Sequence, residues 1–340
     1  MASLKKFVIA LLVLLAILLV VAFLLPRRVH VERSVTVGAP PSTVFTLVNS
    51  FKRFNEWSPW AEKDPKASYT FSGPRAGVGA KMAWVGDPKT VGSGSQEIVE
   101  SRAHTLVRNR LEFAGEGPSD ATMTLQPEGT STKVTWALDT DLGWNPVARY
   151  FGLFFDRMVG PDYERGLANL KGLSEKMPKV DLTGLSADIV EVKSLPIAFV
   201  TATSGSDEQA IATAIGGSFS QVKLFMSQNG LTQAGAPLTI NTRWSEGGYT
   251  FDAGIPVDRL PSEPVPAEST VKIKGTYAGL AAKAVHKGAF GGMRRTYEQL
   301  YAWIAINGYM PAGDPWDEYV TDPGRVSASE LVTNVYVPVK

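Results

Sequence analysis

The sequence predicts an α+β protein with an N-terminal transmembrane helix, then an antiparallel sheet wrapped on a long helix, then a duplicated β-α-β-β domain. Three observations predict it. An uncharged apolar run fills Phe7–Leu25. From His30 onward, short strand-like segments follow one another and end in a long helical pattern. Beyond Asp188 a strand–helix–strand–strand order occurs twice, around the related loops "NGLTQAGAP" from Asn229 and "NGYMPAGDP" from Asn307.

The chain has 340 residues, which is room for two soluble domains. With 44% hydrophobic and 20% charged residues it is not a disordered chain. The formal charge is +1 and no tail or helix face is rich in Lys and Arg, so no nucleic-acid partner is expected. Cysteine is absent, which excludes disulfides, a thiolate nucleophile and zinc–thiolate sites. No metal and no cofactor is expected.

Residues 1–27 form the anchor. At about 1.5 Å per residue the run from residue 7 to 25 nearly crosses a hydrocarbon core of roughly 30 Å. Lys5 and Lys6 precede it, and Arg27 and Arg28 follow. A cleaved signal would have a shorter apolar core and a small-x-small site, and "AFLLPRR" has none. The reading is therefore a single-pass membrane protein with a cytoplasmic N-terminus. Its C-terminal domains would be extracytoplasmic (periplasmic).

Residues 28–176 form the first soluble domain. Val29–Val37 is β-branched and reads as a strand. Pro40–Pro41 suits a helix start, with Val44, Phe45, Leu47 and Val48 as its apolar side. Six strand-like runs follow, from "SYTFSG" to "STKVTWALDT", with Gly, Pro or Asp between them. Asn145–Pro146 is a cap and first turn, and the helical pattern then runs to Glu175 with an expected kink at Gly160–Pro161. The opening strand with "APPSTVF", the segment "FNEWSPW" and the closing "DYERGLANLKGLSE" resemble the SRPBCC superfamily of START-like and polyketide-cyclase-like domains. The resemblance implies a helix-grip fold, a cavity between sheet and helix, and a hydrophobic small molecule or lipid as ligand. Trp57, Trp60 and Trp84 are the candidate cavity residues, with ordinary core packing as the competing assignment.

Residues 177–188, "MPKVDLTGLSAD", mix Pro, Gly and polar residues and read as a linker to a second domain at 189–340. In its first half, Ile211, Ile215, Phe219, Val222 and Phe225 keep helical spacing and Gly230 stops the helix. Two strands follow around "SEGG". In the second half "STVKIKGTYAGL" reads as a strand, and Met293, Tyr297, Leu300 and Ile304 mark a helix. Laid together without a gap, Gln228–Pro237 and Ile306–Pro315 share Asn, Gly, Ala, Gly and Pro. Asn-Gly is a helix stop, because Gly takes positive φ cheaply. The shared loop marks an internal duplication.

This order, with "YEQLYAWIAINGYMPAGDPWDEYVTDP", resembles the GyrI-like family, the AraC-type effector-binding domains. The resemblance implies a groove between the halves that takes hydrophobic or cationic small molecules, and an acid after the G-x-P turn that faces it. Some members use that acid to hydrolyse reactive small molecules. Here the matching residue is Asp317, one methylene shorter than the usual Glu; Tyr319 shares its strand face and Glu318 points the other way. The other half has neutral Thr239 in that place. Trp316, Tyr277, Tyr249, Phe251 and Trp244 are the remaining candidate pocket walls. A carboxylate among aromatic rings favours an organic cation. With its pKa raised by burial it would also serve as a general acid or base. The plain alternative is a surface Asp-Glu pair on an edge strand.

No G-x-S-x-G elbow, H-E-x-x-H, P-loop or dinucleotide fingerprint is present. The expectation is a membrane-anchored small-molecule binder, sensor or carrier, with two tandem ligand-binding domains. Its alternatives are a hydrolase or cyclase using Asp317, and an envelope scaffold.

Overall fold

The computed structural model describes residues 2–113, 117–245 and 248–340. The side chain of Trp244 lies outside the described residues. The chain divides between Asp181 and Leu182 into two compact units.

In the first unit α1 (Ala2–Leu24) leads into β1 (Arg28–Val37), α2 (Pro41–Val48) and α3 (Pro59–Lys63). A run of strands follows: β2 (Ser68–Ser72), β3 (Lys81–Val85), β4 (Ser93–Arg102), β5 (Leu106–Phe113), β6 (Ser119–Glu128) and β7 (Ser131–Asp141). The helices α4 (Pro146–Gly152) and α5 (Phe155–Glu175) close the unit. All strand pairs are antiparallel, in the order β1-β7-β6-β5-β4-β3-β2. Strand alternation decides which face is buried. On β6 and β7 the inward residues Ala121, Met123 and Leu125 stand opposite Leu138, Trp136 and Val134. The long helix covers that face with Tyr163, Gly166, Leu167 and Leu170. Gly166 is required here, because a Cβ would stand 2.8 Å from the Trp136 ring.

The interruption of the C-terminal helix falls at Leu153–Phe154, whereas Pro161 lies inside α5. The end of α4 tightens through bonds from Leu153 and Phe154 to the carbonyls three residues back, which closes that helix. Pro161 sits early in α5, where the missing N–H forfeits a single backbone bond.

In the second unit β8 (Ala187–Val192) and β9 (Pro196–Ser204) precede α6 (Glu208–Gln228), β10 (Leu238–Ser245) and β11 (Gly248–Pro256). Then β12 (Lys272–Gly275) and β13 (Gly279–Lys287) precede α7 (Met293–Ile306), β14 (Trp316–Tyr319) and β15 (Val332–Pro338). The strand read over "STVKIKGTYAGL" is thus the short β12 and the beginning of β13. Most of β13, "GLAAKAVHK", is Ala and Lys, weak strand formers, and it exists through pairing with β15 and β8. Both helices pack on one face: α6 through Val222 and Met226 on Ala198, Val200 and Ile255, and α7 through Leu300 and Ile304 on Ala282, Val335 and Val337.

The sheet order β12-β9-β11-β10-β14-β15-β13-β8 reads the same for the two halves from either edge. Each half lends its first strand to the other: β8 pairs with β13, and β12 with β9. The related loops repeat atom for atom. Gly230 and Gly308 have φ of 60° and 69°. Leu231 N bonds Met226 O at 2.9 Å, and Tyr309 N bonds Ile304 O at 3.0 Å. These are Schellman stops. Gly230→Ala and Gly308→Ala should each cost about 1 kcal/mol, because Ala resists positive φ. Urea unfolding of the two variants checks this; a cost at one site and none at the other would break the equivalence.

Candidate functional site

The two halves meet along β10 and β14, with Thr239 directly opposite Asp317. These are the same two residues that the ungapped comparison of the halves aligns, so the pseudo-twofold axis passes between them. Their face is the one that carries α6 and α7. Two acids here would be like charges facing each other in a buried site, which is costly. One acid and one neutral partner is the arrangement that the axis tolerates.

Asp317 is 5% exposed. Tyr297, from α7, donates to its Oδ1 at 2.7 Å, and Asn241, from β10, donates to its Oδ2 at 3.1 Å. Asn241 Nδ2 also reaches the Tyr297 oxygen at 2.7 Å, and Tyr249 donates to Asn241 Oδ1. Thr239 Oγ1 and the Tyr319 hydroxyl are 3.0 Å apart. Phe219 and Phe290 hold the Tyr319 ring edge-on at 6.0 and 5.7 Å. No Lys or Arg pairs with Asp317 among the described residues. The result is a lone buried carboxylate roofed by tyrosines.

Burial pushes the Asp317 pKa up to about 6, against the smaller opposing effects of the Tyr297 and Asn241 hydrogen bonds and of the nearby His286. Burial first, and then the Asp317 charge, raise the phenols of Tyr249, Tyr297, Tyr301 and Tyr319, which all remain neutral. An acid whose folded pKa exceeds its unfolded value of about 4 stabilises the fold only when protonated. Its contribution is complete below about pH 4, falls as pH rises through about 6, and is gone above that. The difference corresponds to about 3 kcal/mol. Asp317→Asn should flatten the stability of this unit between those pH values. Urea midpoints measured across that range test this, and an unchanged slope would reject the burial account.

Of the sequence candidates, Asp317, Tyr319, Tyr249 and Phe251 share the helix-bearing face. Phe251 is fully buried and stacks on Tyr249 at 4.8 Å. Trp316 and Tyr277 stand on the opposite face, where Trp316 stacks on Tyr336 at 4.6 Å and lies 6.0 Å from Tyr277. There, with Leu238, Ile240, Lys274 and Asp314, they line a cleft of about 210 Å³. Glu318 shares that face and accepts from Asn334 Nδ2 at 2.7 Å and from the Tyr336 hydroxyl at 3.1 Å. Asn241 and Tyr297 are site residues that the sequence reading did not single out. Asn241 follows Thr239 by two on the same strand face, a polar pair on a face that must be buried. That is the signal that would have found it.

In the first unit Trp57 and Trp60 belong to one packed aromatic column. Trp57 meets Trp136 edge-on at 5.5 Å, Trp60 meets it at 5.6 Å, and Trp136 stacks on Tyr163 at 4.0 Å. Trp84 is apart from them, with its Nε1 on Val91 O at 3.2 Å and its ring against Phe113. The Trp57 indole N–H and the hydroxyls of Thr43, Ser58 and Ser174 are buried with no hydrogen-bond partner among the described residues.

Fold and site define a protein built from two small-molecule-binding modules behind an apolar helix. Residues 28–175 match the polyketide cyclase / dehydrase and lipid transport family, and residues 186–340 match the GyrI-like small molecule binding domain. The chain thus carries one domain of each family, and these families bind small hydrophobic molecules or lipids. No curated protein matches the chain. Among solved structures it is similar to EcmrR in a DNA complex, at 18% identity over 57% of this chain and 70% of that chain, with a TM-score of 0.42. It is similar to the EcmrR C-terminal domain, at 19% over 46% and 99%, with a TM-score of 0.40. It is also similar to a hydrolase from Listeria innocua, at 15% over 46% and 92%, with a TM-score of 0.35.

Proposed function

We propose that this protein is a membrane-anchored sensor or carrier of hydrophobic or cationic small molecules, with its C-terminal domains outside the cytoplasm and no nucleic-acid partner. The observation that carries the reading is the buried carboxylate of Asp317, ringed by tyrosines and with no Lys or Arg paired to it among the described residues. An organic cation supplies the missing charge and takes up the ring faces. To reach the acid it must displace the Tyr297 hydroxyl, which is hydrogen-bonded to the carboxylate. Support for the anchor is the span Leu4–Leu24, the one helix among the described residues long and apolar enough to cross a membrane. In the first domain, the buried hydroxyls and the Trp57 N–H would receive a ligand's polar groups, which relieves their cost.

Titration calorimetry of the full chain in detergent, with tetraphenylphosphonium and a neutral tetraphenyl isostere, tests this. Preference for the cation is the expected result; equal affinity for both, or no binding of either, rejects it. One observation favours a second reading, hydrolysis of a small molecule: a carboxyl titrating at about 6 suits acid–base work near neutrality. In that case Asp317→Asn abolishes turnover while the far-ultraviolet circular dichroism stays unchanged.

A further inference from the structure

The final turns of α1 are tied to α4 inside the first unit. Arg149 of α4 is buried, and its Nη1 donates to Phe23 O at 3.1 Å and Leu25 O at 3.5 Å. Its Nε and Nη2 donate to Gly143 O at 3.2 and 3.0 Å. A guanidinium here satisfies carbonyls that the end of α1 would leave open, and it favours the negative end of the helix dipole. The same group lies over the rings of Phe23 and Trp144, at 5.4 and 5.6 Å. The Tyr150 hydroxyl donates to Leu18 O at 2.7 Å. Ala22 of α1 is completely buried. So α4 lies along α1 from Leu18 to Leu25.

The outer side of this helix pair is apolar. Trp144 is 73% exposed and Phe151 61%, and Val147, Phe154 and Met158 are exposed as well. Val147 and Phe151 stand four apart on one face of α4, Trp144 precedes that helix, and Phe154 and Met158 stand at the break and on α5; in a soluble domain such an apolar face turns toward a core. Here it turns outward, and contiguous exposed apolar surface marks an interface. Two exposed arginines stand near these residues along the chain: Arg28 follows the end of α1, and Arg157 lies between Phe154 and Met158.

The attachment to α1 selects the occupant. Leu18 is six residues short of Leu24, or about 9 Å down the helix axis. A bilayer that covers α1 to its end therefore also covers the outer face of α4. We propose that α4 and the start of α5 form a second, half-inserted membrane contact, with Trp144, Val147, Phe151, Phe154 and Met158 in the acyl region beside the anchor and Arg28 and Arg157 reaching the lipid phosphates. Trp at the boundary and Arg just beyond it are the side chains that suit such a depth. The helix-grip domain is then seated on the bilayer by two contacts in place of one tether. This inference rests on the reading of α1 as an anchor.

The absence of cysteine makes the test direct. Phe151→Cys, Thr130→Cys in the turn before β7, and Leu14→Cys in mid-α1 each receive a nitroxide. The full chain is reconstituted into phosphatidylethanolamine and phosphatidylglycerol vesicles. Collision with oxygen, which concentrates in lipid, is compared with collision with the water-borne nickel chelate NiEDDA. At position 151 the oxygen rate should be high and the NiEDDA rate several-fold below that at 130. If 151 is as open to NiEDDA as 130 while 14 is lipid-embedded, the anchor stands and the second contact is overturned. If 14 is aqueous too, both fall. Shielding of 151 from both reagents would mean a protein partner on the stripe, and would also overturn the proposal.

Discussion

Asp317→Asn is expected to weaken tetraphenylphosphonium binding at pH 8 by about 30-fold or more, taking about 2 kcal/mol as the smaller cost of removing one partner of a buried charge pair. The substitution keeps the shape and can retain the hydrogen bond from Tyr297. What it removes is charge in a site where water cannot replace it. The wild-type pH dependence provides a second signature. The cation needs the ionised carboxylate, and burial holds the Asp317 pKa at about 6. Affinity should therefore rise with pH up to about 6 and level off above it, with protons released on binding below that point. The variant should show a flat profile, and a neutral isostere should not distinguish the two proteins. Calorimetry in buffers of different ionisation enthalpy reads the affinity and the proton release together. Equal dissociation constants for wild type and variant at pH 8 would remove Asp317 from the ligand site.

Trp136→Ala should destabilise the first soluble domain by about 3–5 kcal/mol, the usual range for a large buried aromatic cut to Ala. Trp136 is 4% exposed and joins the sheet to both helical elements above it. Its ring stacks on Tyr163 of α5, and Trp57 and Trp60 stand against it edge-on. Gly166 has no side chain so that the ring can lie close. Little can move inward to fill the void. For a domain of this size the loss corresponds to a drop of roughly 10 °C in melting temperature. Scanning calorimetry of the full chain should show one transition moving down and the transition of the second domain staying in place. A shift of only a degree or two would mean that the column is loosely packed and tolerates a void.

Much of the first domain was legible because it faces water on one side. Segments such as Met123–Leu125 and Val134–Leu138 alternate, and alternation reports a half-buried strand whatever its neighbours are. The strand β13 was illegible. Its buried positions Ala281, Ala282 and Ala284 are small and weakly apolar, so they give little hydrophobic signal, and its Ala and Lys content does not suggest a strand. In the site, the loop duplication was readable and pairs Asp317 with Thr239 by sequence alone. The partners of the acid were not. Tyr297 looks like a core residue of α7, and only packing shows that its hydroxyl ends at a carboxylate.

By itself the sequence determined the apolar helix, the two families, the duplicated halves and the single acid, because these depend on local pattern and repeated motif. Tertiary structure decided what the acid faces. Side chains on one strand alternate, which already separates Trp316 from Asp317. Which face receives the helices depends on how eight strands pair, and so does the side on which Tyr277 falls. Pairing joins residues as distant as Asn241 and Asp317, and no local rule carries information over that separation. The outward stripe of α4 has the same character. Its spacing is visible in the sequence, but its direction, away from the sheet and alongside α1, follows from Arg149 binding the end of that helix.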